Sequence, residues 1–169
     1  MSYRASRLLL AFFCHELLVA ALYFQYVEGL NPCPLCIFQR IAVFAMGLVF
    51  LVAAVHHPGP KGRLVYDLSG FLVALLGATI AGRQVWLQHL PADQVPACGP
   101  GLDYMLDTLP LAQTIALVFR GSGDCAEVQW QFLGFSMPEW TLMIFCLIAL
   151  YLLWQLRIHW LQRRFHVER

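Results

Sequence analysis

Long apolar stretches dominate the chain and are separated by short polar segments. A helix needs about 20 apolar residues to cross the ~30 Å hydrocarbon core of a membrane. Four stretches reach this length, at roughly residues 8–27, 37–55, 64–82 and 140–158. The pattern predicts an all-α integral membrane protein, with one four-transmembrane-helix bundle as its single domain over residues 1–169. The connections at residues 28–36 and 83–139 then lie on the same side of the membrane.

The first apolar stretch follows Arg4 and Arg7, as the apolar region of a signal peptide would. It is longer than such a region and is not followed by a clear pair of small residues for cleavage, so we expect a retained helix. Composition supports the membrane class, since 60% of the residues are hydrophobic, 12% are charged and the mean hydropathy is +0.64. These values exclude an ordinary soluble globular domain.

The eleven lysines and arginines predict the orientation of the bundle. Eight lie at the chain termini and in the turn between the second and third stretches, namely Arg4, Arg7, Lys61, Arg63, Arg157, Arg163, Arg164 and Arg169. Three lie on the opposite side, namely Arg40, Arg83 and Arg120. The positive-inside rule places the larger set in the cytoplasm, so the connections at residues 28–36 and 83–139 face outward.

A C-x-x-C motif, Cys33-Pro34-Leu35-Cys36, stands immediately before the second apolar stretch. Two cysteines at this spacing can form and reopen a disulfide, and the positive end of a helix dipole favours a thiolate. Arg40 follows Cys36 by four residues, so the two side chains share one side of the helix. The motif is compatible with redox chemistry at the membrane surface and equally with a structural staple.

A second outward pair, Cys98 and Cys125, lies in the longer connection. The alternative to a redox pair is a stapling disulfide, worth about 3–4 kcal/mol by loop-closure entropy. The connection has little core to staple, and its apolar stretch at residues 109–119 is typical of a helix lying in the membrane interface. Two pairs at one face favour thiol–disulfide exchange between the loops. Cys14 and Cys146 fall inside the first and fourth helices, where we expect thiols that act as small buried hydrophobes.

These motifs together resemble the DsbB family of quinone-linked membrane oxidases, which recharge the periplasmic oxidant DsbA. The resemblance rests on five features in order: Cys33-Pro34-Leu35-Cys36 with Arg40, then Cys98, then Gly123-Asp124-Cys125-Ala126-Glu127, then Trp130, then Met137-Pro138-Glu139-Trp140. It spans all four helices and both outward connections. Several members carry a histidine where this chain reads Arg83-Gln84-Val85, so no quinone-binding histidine is assigned.

The resemblance implies a multi-pass protein of the bacterial inner membrane, with cytoplasmic termini and periplasmic cysteine loops. It implies that Cys98 and Cys125 exchange with a DsbA-like partner and that Cys33 and Cys36 pass electrons to ubiquinone or menaquinone. It also implies that Arg40 contacts the quinone. No metal, haem or flavin is expected.

Disulfide chemistry predicts the same order of events. A disulfide breaks by thiolate attack through a mixed disulfide. The long connection reaches a soluble protein more easily than the short one, so we expect the partner's thiolate to attack Cys98 and release Cys125. Cys125 then attacks Cys33, which frees Cys36 beside Arg40. A cation there would stabilise negative charge on the sulfur and on a quinone oxygen.

Three other interpretations remain open from the sequence. One is a quinone reductase of the vitamin K epoxide reductase type, whose C-x-x-C motif belongs in a different helix. Another is a non-catalytic scaffold or sensor whose outer disulfides are structural. The third is a thiol carrier in the reducing direction, which would need cysteines reachable from the cytoplasm. His15 and Glu16, polar residues within the first helix, are either functional or pack between helices.

Overall fold

Four long helices make up the body of the protein. The structure, a computed structural model, describes residues 2–91, 93–97, 99 and 101–167, and of residues 162–167 it describes the backbone alone. Within this part of the chain, four helices are long and apolar enough to cross a membrane. They are α1 (Tyr3–Tyr26), α2 (Pro34–His56), α3 (Pro60–Gln88) and α7 (Met137–Val167). The predicted four-helix membrane architecture is therefore confirmed.

The helices extend beyond the predicted apolar stretches. Hydropathy detects only the part of a helix that matches the hydrocarbon core, whereas the backbone stays helical into the polar interface. Two differences matter for the site. Cys36, predicted to end the first outward connection, lies in the first turn of α2, and residues 83–88, predicted as loop, form the last turns of α3.

Local sequence explains where α2 and α3 begin. Cys33 is the N-cap of α2 and Pro34 follows at the first helical position, where proline loses no hydrogen bond. Gly59 and Pro60 open α3 in the same way. Between them, His57 adopts a left-handed conformation with φ of 51°, which reverses the chain.

The long helices pack in sequence order, α1 against α2, α2 against α3 and α3 against α7. Two α3 glycines permit close approach: a Cβ on Gly70 would lie 3.0 Å from the Phe50 ring, and one on Gly77 would lie 2.3 Å from the Phe145 ring. The buried core of this bundle comprises Cys14, Ala42, Val43, Met46, Phe50, Ala74, Ala81, Phe145, Ile148, Ala149 and Leu152.

A buried ion pair joins the helices at the end that carries the chain termini. The Arg7 guanidinium lies 2.8 Å from a carboxylate oxygen of Asp67, and both side chains are 1% exposed. Tyr3 donates a hydrogen bond to Asp67 at 3.1 Å, and His159 Nε2 lies 3.5 Å from the second carboxylate oxygen. Arg7 also lies over the ring of Tyr151, 5.6 Å from its centroid. The pair therefore ties α1 and α3 to α7.

The long connection folds into short elements over the opposite end of the bundle. These are α4 (Leu102–Thr108), α5 (Leu111–Arg120), α6 (Gly123–Ala126) and an antiparallel hairpin of β1 (Gln131–Phe132) and β2 (Phe135–Ser136). The expected apolar helix is present as α5, which begins after Pro110. It buries Thr114 and Val118 and exposes Leu111, Ile115 and Leu117. Arg83 of α3 anchors its end by donating hydrogen bonds to the carbonyls of Phe119 and Arg120.

Candidate functional site

The C-x-x-C cysteines lie at the N-terminal end of α2. The Cys33 sulfur accepts a hydrogen bond from the Cys36 backbone N–H at 3.3 Å, as an N-cap side chain does. The two sulfurs lie 2.9 Å apart, and both residues are free thiols. Both sulfurs therefore sit against the positive end of the α2 dipole, where a thiolate is stabilised.

The short helix α6 brings Cys125 to the same place. Cys125 is 1% exposed and its sulfur is hydrogen-bonded to the Cys33 thiol. That bond, together with bonds from the backbone N–H groups of Leu35 and Ser122, lowers the pKa of Cys125 to about 6. The same bond and the one to Cys36 raise the pKa of Cys33, because the Cys33 proton is held between two sulfurs. Cys125, Cys33 and Cys36 thus form a continuous chain of sulfurs.

Cys98, the fourth predicted redox cysteine, lies outside the described residues. The residue before it is placed: the Ala97 carbonyl accepts a hydrogen bond from the Gly123 N–H at 3.4 Å. A cavity of about 340 Å³ opens beside Cys125 and has Ala97, Met105, Val118 and Ser122 among its walls.

A second cavity, of about 230 Å³, lies between α1 and α7 at the cysteine end of the bundle. Cys33 and Cys36 line its inner wall together with Arg40. Aromatic rings lie over it, with Phe24 and Trp130 5.0 Å apart between centroids. The remaining walls are mostly apolar and come largely from the two outer helices, from Leu17, Leu18, Ala20, Ala21, Trp140, Thr141, Ile144 and Phe145. Polar groups are added by Gln39, Gln84 and Gln88 and by Asp124, Glu127 and Gln129 of the long connection.

Arg40 reaches across this cavity from α2 to α1. Its guanidinium donates a hydrogen bond to the Gln25 side chain and another, of 3.0 Å, to the Ala21 carbonyl. Arg40 and Cys36 line the same cavity, as their spacing of four residues predicts. Arg40 therefore joins α2 to α1 and also lies beside the two sulfurs.

A buried glutamine of α3 contacts both sulfurs. Gln84 Nε2 lies 3.3 Å from the Cys33 sulfur and 3.2 Å from the Cys36 sulfur. Its Oε1 accepts a hydrogen bond from Gln39 Nε2 at 2.6 Å. Both glutamines are buried, at 3% and 5% exposure. Buried polar side chains are costly inside a membrane bundle, so amides that contact two cysteines mark this end as a candidate functional site.

Comparison with known proteins agrees with this geometry. The family model for the disulfide bond formation protein DsbB matches residues 3–155. The chain belongs to the DsbB family. It is 61% identical over 145 residues to the disulfide bond formation protein B of Nitrosococcus oceani, covering 86% of each chain. It is 59% identical to that of Methylococcus capsulatus over 79% of this chain and 81% of the relative. It is 49% identical to that of Saccharophagus degradans over 91% of this chain and 93% of the relative.

DsbB membership confirms the resemblance read from the cysteine motifs. The protein is a membrane-embedded disulfide oxidoreductase that acts in disulfide bond formation. Among the described residues, no group of three or more histidine, cysteine or acidic side chains is arranged to hold a metal ion. The site consists instead of thiols, amides and one arginine around an apolar cavity.

Sequence reasoning missed the two glutamines that contact each other beside the sulfurs. A polar side chain inside a membrane helix is energetically costly and so indicates a function. This argument, used above for His15, could have identified Gln39 as well. Gln84 was not considered in this way, because the third helix was predicted to end at residue 82 and Gln84 was therefore assigned to a loop. The same argument applied to Asp67, a carboxylate within the third apolar stretch.

The structure also places the residues whose roles were left open. His15 and Glu16 are exposed on α1, so neither packs between helices of this chain. Cys14 is buried as expected, with its Cβ 3.0 Å from the position of a Cβ built on Gly47. Cys146 is exposed on α7, so the expectation that it is buried was wrong. Its side chain lies on the outer surface of the bundle because α7 packs on α3 through Phe145 and Ala149 instead.

Proposed function

We propose that this protein oxidises the dithiol of a periplasmic DsbA-type partner and delivers the two electrons to a membrane quinone. The observation that carries the proposal is the chain of sulfurs from Cys125 through Cys33 to Cys36, which ends at a cavity between α1 and α7. A soluble thiol approaches from one end of this chain, and a molecule dissolved in lipid approaches from the other.

The exchange begins at the long connection. A partner thiolate attacks Cys98 of a Cys98–Cys125 disulfide, which forms a mixed disulfide and leaves the electron pair on the Cys125 sulfur. The partner's second thiolate then attacks the mixed disulfide, so the partner leaves oxidised and Cys98 is released as a thiolate. Position supports this pairing, because Ala97 is hydrogen-bonded to Gly123 at the start of the Cys125 helix.

The electrons then move along the chain of sulfurs. Cys125 attacks Cys33 of a Cys33–Cys36 disulfide; the Cys33–Cys125 bond forms, and the electron pair of the broken bond stays on Cys36. Cys98 next attacks Cys125, which re-forms the Cys98–Cys125 disulfide and frees Cys33. Two electrons now reside on Cys33 and Cys36, and they leave when these residues are joined again. In the reduced protein the Cys125 and Cys33 sulfurs are hydrogen-bonded to each other, and this proximity supports the central transfer.

The cavity fits a quinone ring. Its apolar walls suit the ring, it lies between two helices that face lipid, and Cys36 and Arg40 supply a thiol and a cation at one wall. Ubiquinone or menaquinone, when bound, takes up two electrons and two protons and leaves as quinol. Arg40 would bind a quinone oxygen and stabilise the negative charge that develops there. The overall reaction is balanced, since the partner dithiol loses two electrons and two protons.

The orientation of the protein follows the same proposal. We place it in the bacterial inner membrane with its termini in the cytoplasm and its cysteine loops in the periplasm, where disulfides persist. The excess of lysine and arginine at the terminal side supports this orientation.

The direct test combines the purified protein with a reduced DsbA-type partner and a soluble quinone. We expect quinol and oxidised partner to form in equal amounts, and each of Cys33→Ala, Cys36→Ala, Cys98→Ala and Cys125→Ala to abolish turnover. Cys146→Ala, on the exposed surface of α7, is the control and should turn over normally. Full activity in Cys98→Ala or Cys125→Ala would show a structural disulfide in the long connection, and no quinol with the wild-type protein would refute the proposal.

A further inference from the structure

The amide of Gln84 lies against the sulfurs of both C-x-x-C cysteines. Its Nε2 donates toward the sulfurs of Cys33 and Cys36, at 3.3 and 3.2 Å. Its Oε1 lies 3.5 Å from the Cys36 sulfur, within reach of a thiol proton. The N–H group of Gln84 thus lies nearer to the Cys36 sulfur than its oxygen does, so the amide presents its donor to that sulfur.

Orientation of this amide decides its effect. An N–H donor stabilises a thiolate, whereas a carbonyl oxygen turned to the same sulfur would repel it. Gln39 holds the Gln84 amide in the orientation with its N–H toward the sulfurs, since Gln39 Nε2 donates to Gln84 Oε1 at 2.6 Å. Because both amides are buried, water does not compete for these bonds, and a bond to a charged group is stronger there than at a surface.

Arg40 does not replace this donor. Two donors of its guanidinium are directed to α1, at the Gln25 side chain and the Ala21 carbonyl. Among the described residues, Gln84 is the one whose side chain donates hydrogen bonds to the sulfurs of both Cys33 and Cys36.

We propose that Gln84 is a catalytic residue whose amide stabilises the Cys36 thiolate released when Cys33 is attacked, and that Gln39 is the positioning residue that holds this amide in place. The inference rests on the proposed function. In the step concerned, the Cys33–Cys36 bond breaks, the Cys33–Cys125 bond forms, and the displaced electron pair stays on Cys36 facing Gln84. The amide gains and loses no proton in this step.

The test measures the thiolate of Cys36 directly. The full-length protein in detergent is reduced and treated with iodoacetamide near neutral pH, and the alkylation rate at Cys36 is followed by peptide mass spectrometry. Gln84→Met keeps the length of the side chain and removes the donor, so we expect Cys36 to react roughly ten- to a hundredfold more slowly. Gln39→Met leaves the donor but frees its orientation, and its rate should lie between those of Gln84→Met and wild type.

Controls separate this effect from a loss of folding. Gln88→Met, one turn further along α3, removes an amide oxygen that accepts a hydrogen bond from the Ser136 hydroxyl and should leave the Cys36 alkylation rate at the wild-type value. If Gln84→Met does not fold, Gln84→Asn keeps an amide but withdraws it from the sulfurs by one methylene, and the same slowing is expected. A wild-type rate at Cys36 in whichever of these Gln84 variants folds would overturn the inference.

Quinone kinetics provide a second readout. Gln84→Met should lower kcat for quinone reduction, because the Cys36 thiolate would form less readily without the amide donor; an unchanged kcat would contradict the inference. The alkylation assay contains no quinone or partner. Failure of wild-type protein to reduce quinone would therefore refute the proposed function alone, whereas unchanged alkylation in active Gln84 variants would refute this inference alone.

Discussion

Cys125 has surroundings that favour its thiolate at mildly acid pH. The Cys33 thiol and the backbone N–H groups of Leu35 and Ser122 together lower its pKa to about 6. The thiolate is present above that pH and is lost by protonation as the pH falls through it. In the fully reduced protein, the Cys125 thiolate therefore persists over most of the neutral pH range.

This pKa predicts the pH dependence of Cys125 alkylation. In the fully reduced protein, the rate should rise with pH and have its midpoint near pH 6. Cys33→Ala removes the strongest donor, so the midpoint should move up toward the value of an ordinary thiol, ~8.5. Cys36→Ala keeps that donor and is the matched control. An ordinary midpoint in the wild-type protein would show that the hydrogen bonds do not stabilise the thiolate.

Arg40 can either bind the quinone or only join α1 to α2, and the substitution Arg40→Lys distinguishes these two roles. Lysine can extend its charge to the interface as arginine does, but it lacks the planar fork that binds an oxygen in fixed geometry. If Arg40 binds the quinone, Arg40→Lys should raise the KM for quinone and slow turnover roughly ten- to a hundredfold, from the loss of one charge-assisted bond of ~1.5–3 kcal/mol.

Exchange between the partner and the loop cysteines, followed without quinone, should stay near normal in the Arg40 variant. The bonds to Gln25 and Ala21 offer the alternative that Arg40 only joins α1 to α2. Normal quinone kinetics in Arg40→Lys, together with a reduced yield of folded Arg40→Ala, would establish that alternative.

Gly77 allows α3 to pack closely against α7. A Cβ on Gly77 would lie 2.3 Å from the ring of Phe145, which is fully buried. We expect Gly77→Ala to lower the free energy of unfolding by about 1–3 kcal/mol, because the ring must move within a packed core. Thermal denaturation in detergent measures the change. Gly82→Ala, on the same helix with its nearest neighbour at 3.9 Å, should change stability little.

Removing one partner of the buried ion pair should lower the stability of the protein more than replacing both partners by apolar residues. Asp67→Ala leaves the Arg7 guanidinium buried without its carboxylate and should cost about 3–5 kcal/mol. Replacing both residues by apolar ones, Arg7→Met with Asp67→Leu, should restore much of that stability. Equal losses in the single and double variants, measured by the same denaturation, would contradict this account.

Across the bundle, α1 and α7 are joined at one end and separated at the other. Arg7 of α1 contacts Tyr151 of α7 near the termini, whereas the cavity separates the same two helices beside the cysteines. Under the proposed function, this asymmetry would let a lipid-dissolved quinone reach the sulfurs from the side of the bundle. The orientation of that end in the membrane is therefore central to the function.

Orientation can be measured with impermeant thiol reagents on intact cells. In a variant without native cysteines, Asp103→Cys on α4 should be labelled from outside, and Lys61→Cys in the first turn of α3 only after the membrane is permeabilised. Both positions are exposed, so accessibility within the protein does not limit labelling. The reverse pattern would overturn the predicted topology and the assigned compartment.

The four helices and the family were both predicted correctly from the amino-acid sequence. Each depends on local information, because the length of an apolar stretch and the spacing of a motif do not require knowledge of distant residues. The sequence also indicated that Arg40 and Cys36 share one side of α2, which follows from helical periodicity alone.

Only the tertiary structure revealed the contacts of Gln84 with the sulfurs, the pairing of Arg7 with Asp67 and the cavity between α1 and α7. These depend on how each helix is rotated about its axis. In a soluble bundle an apolar stripe indicates that rotation, but a membrane helix is apolar on the side that faces lipid as well as on the side that faces its neighbours. Packing of small against large residues, such as Gly77 against Phe145, sets the rotation, and so decides which polar side chains meet the cysteines.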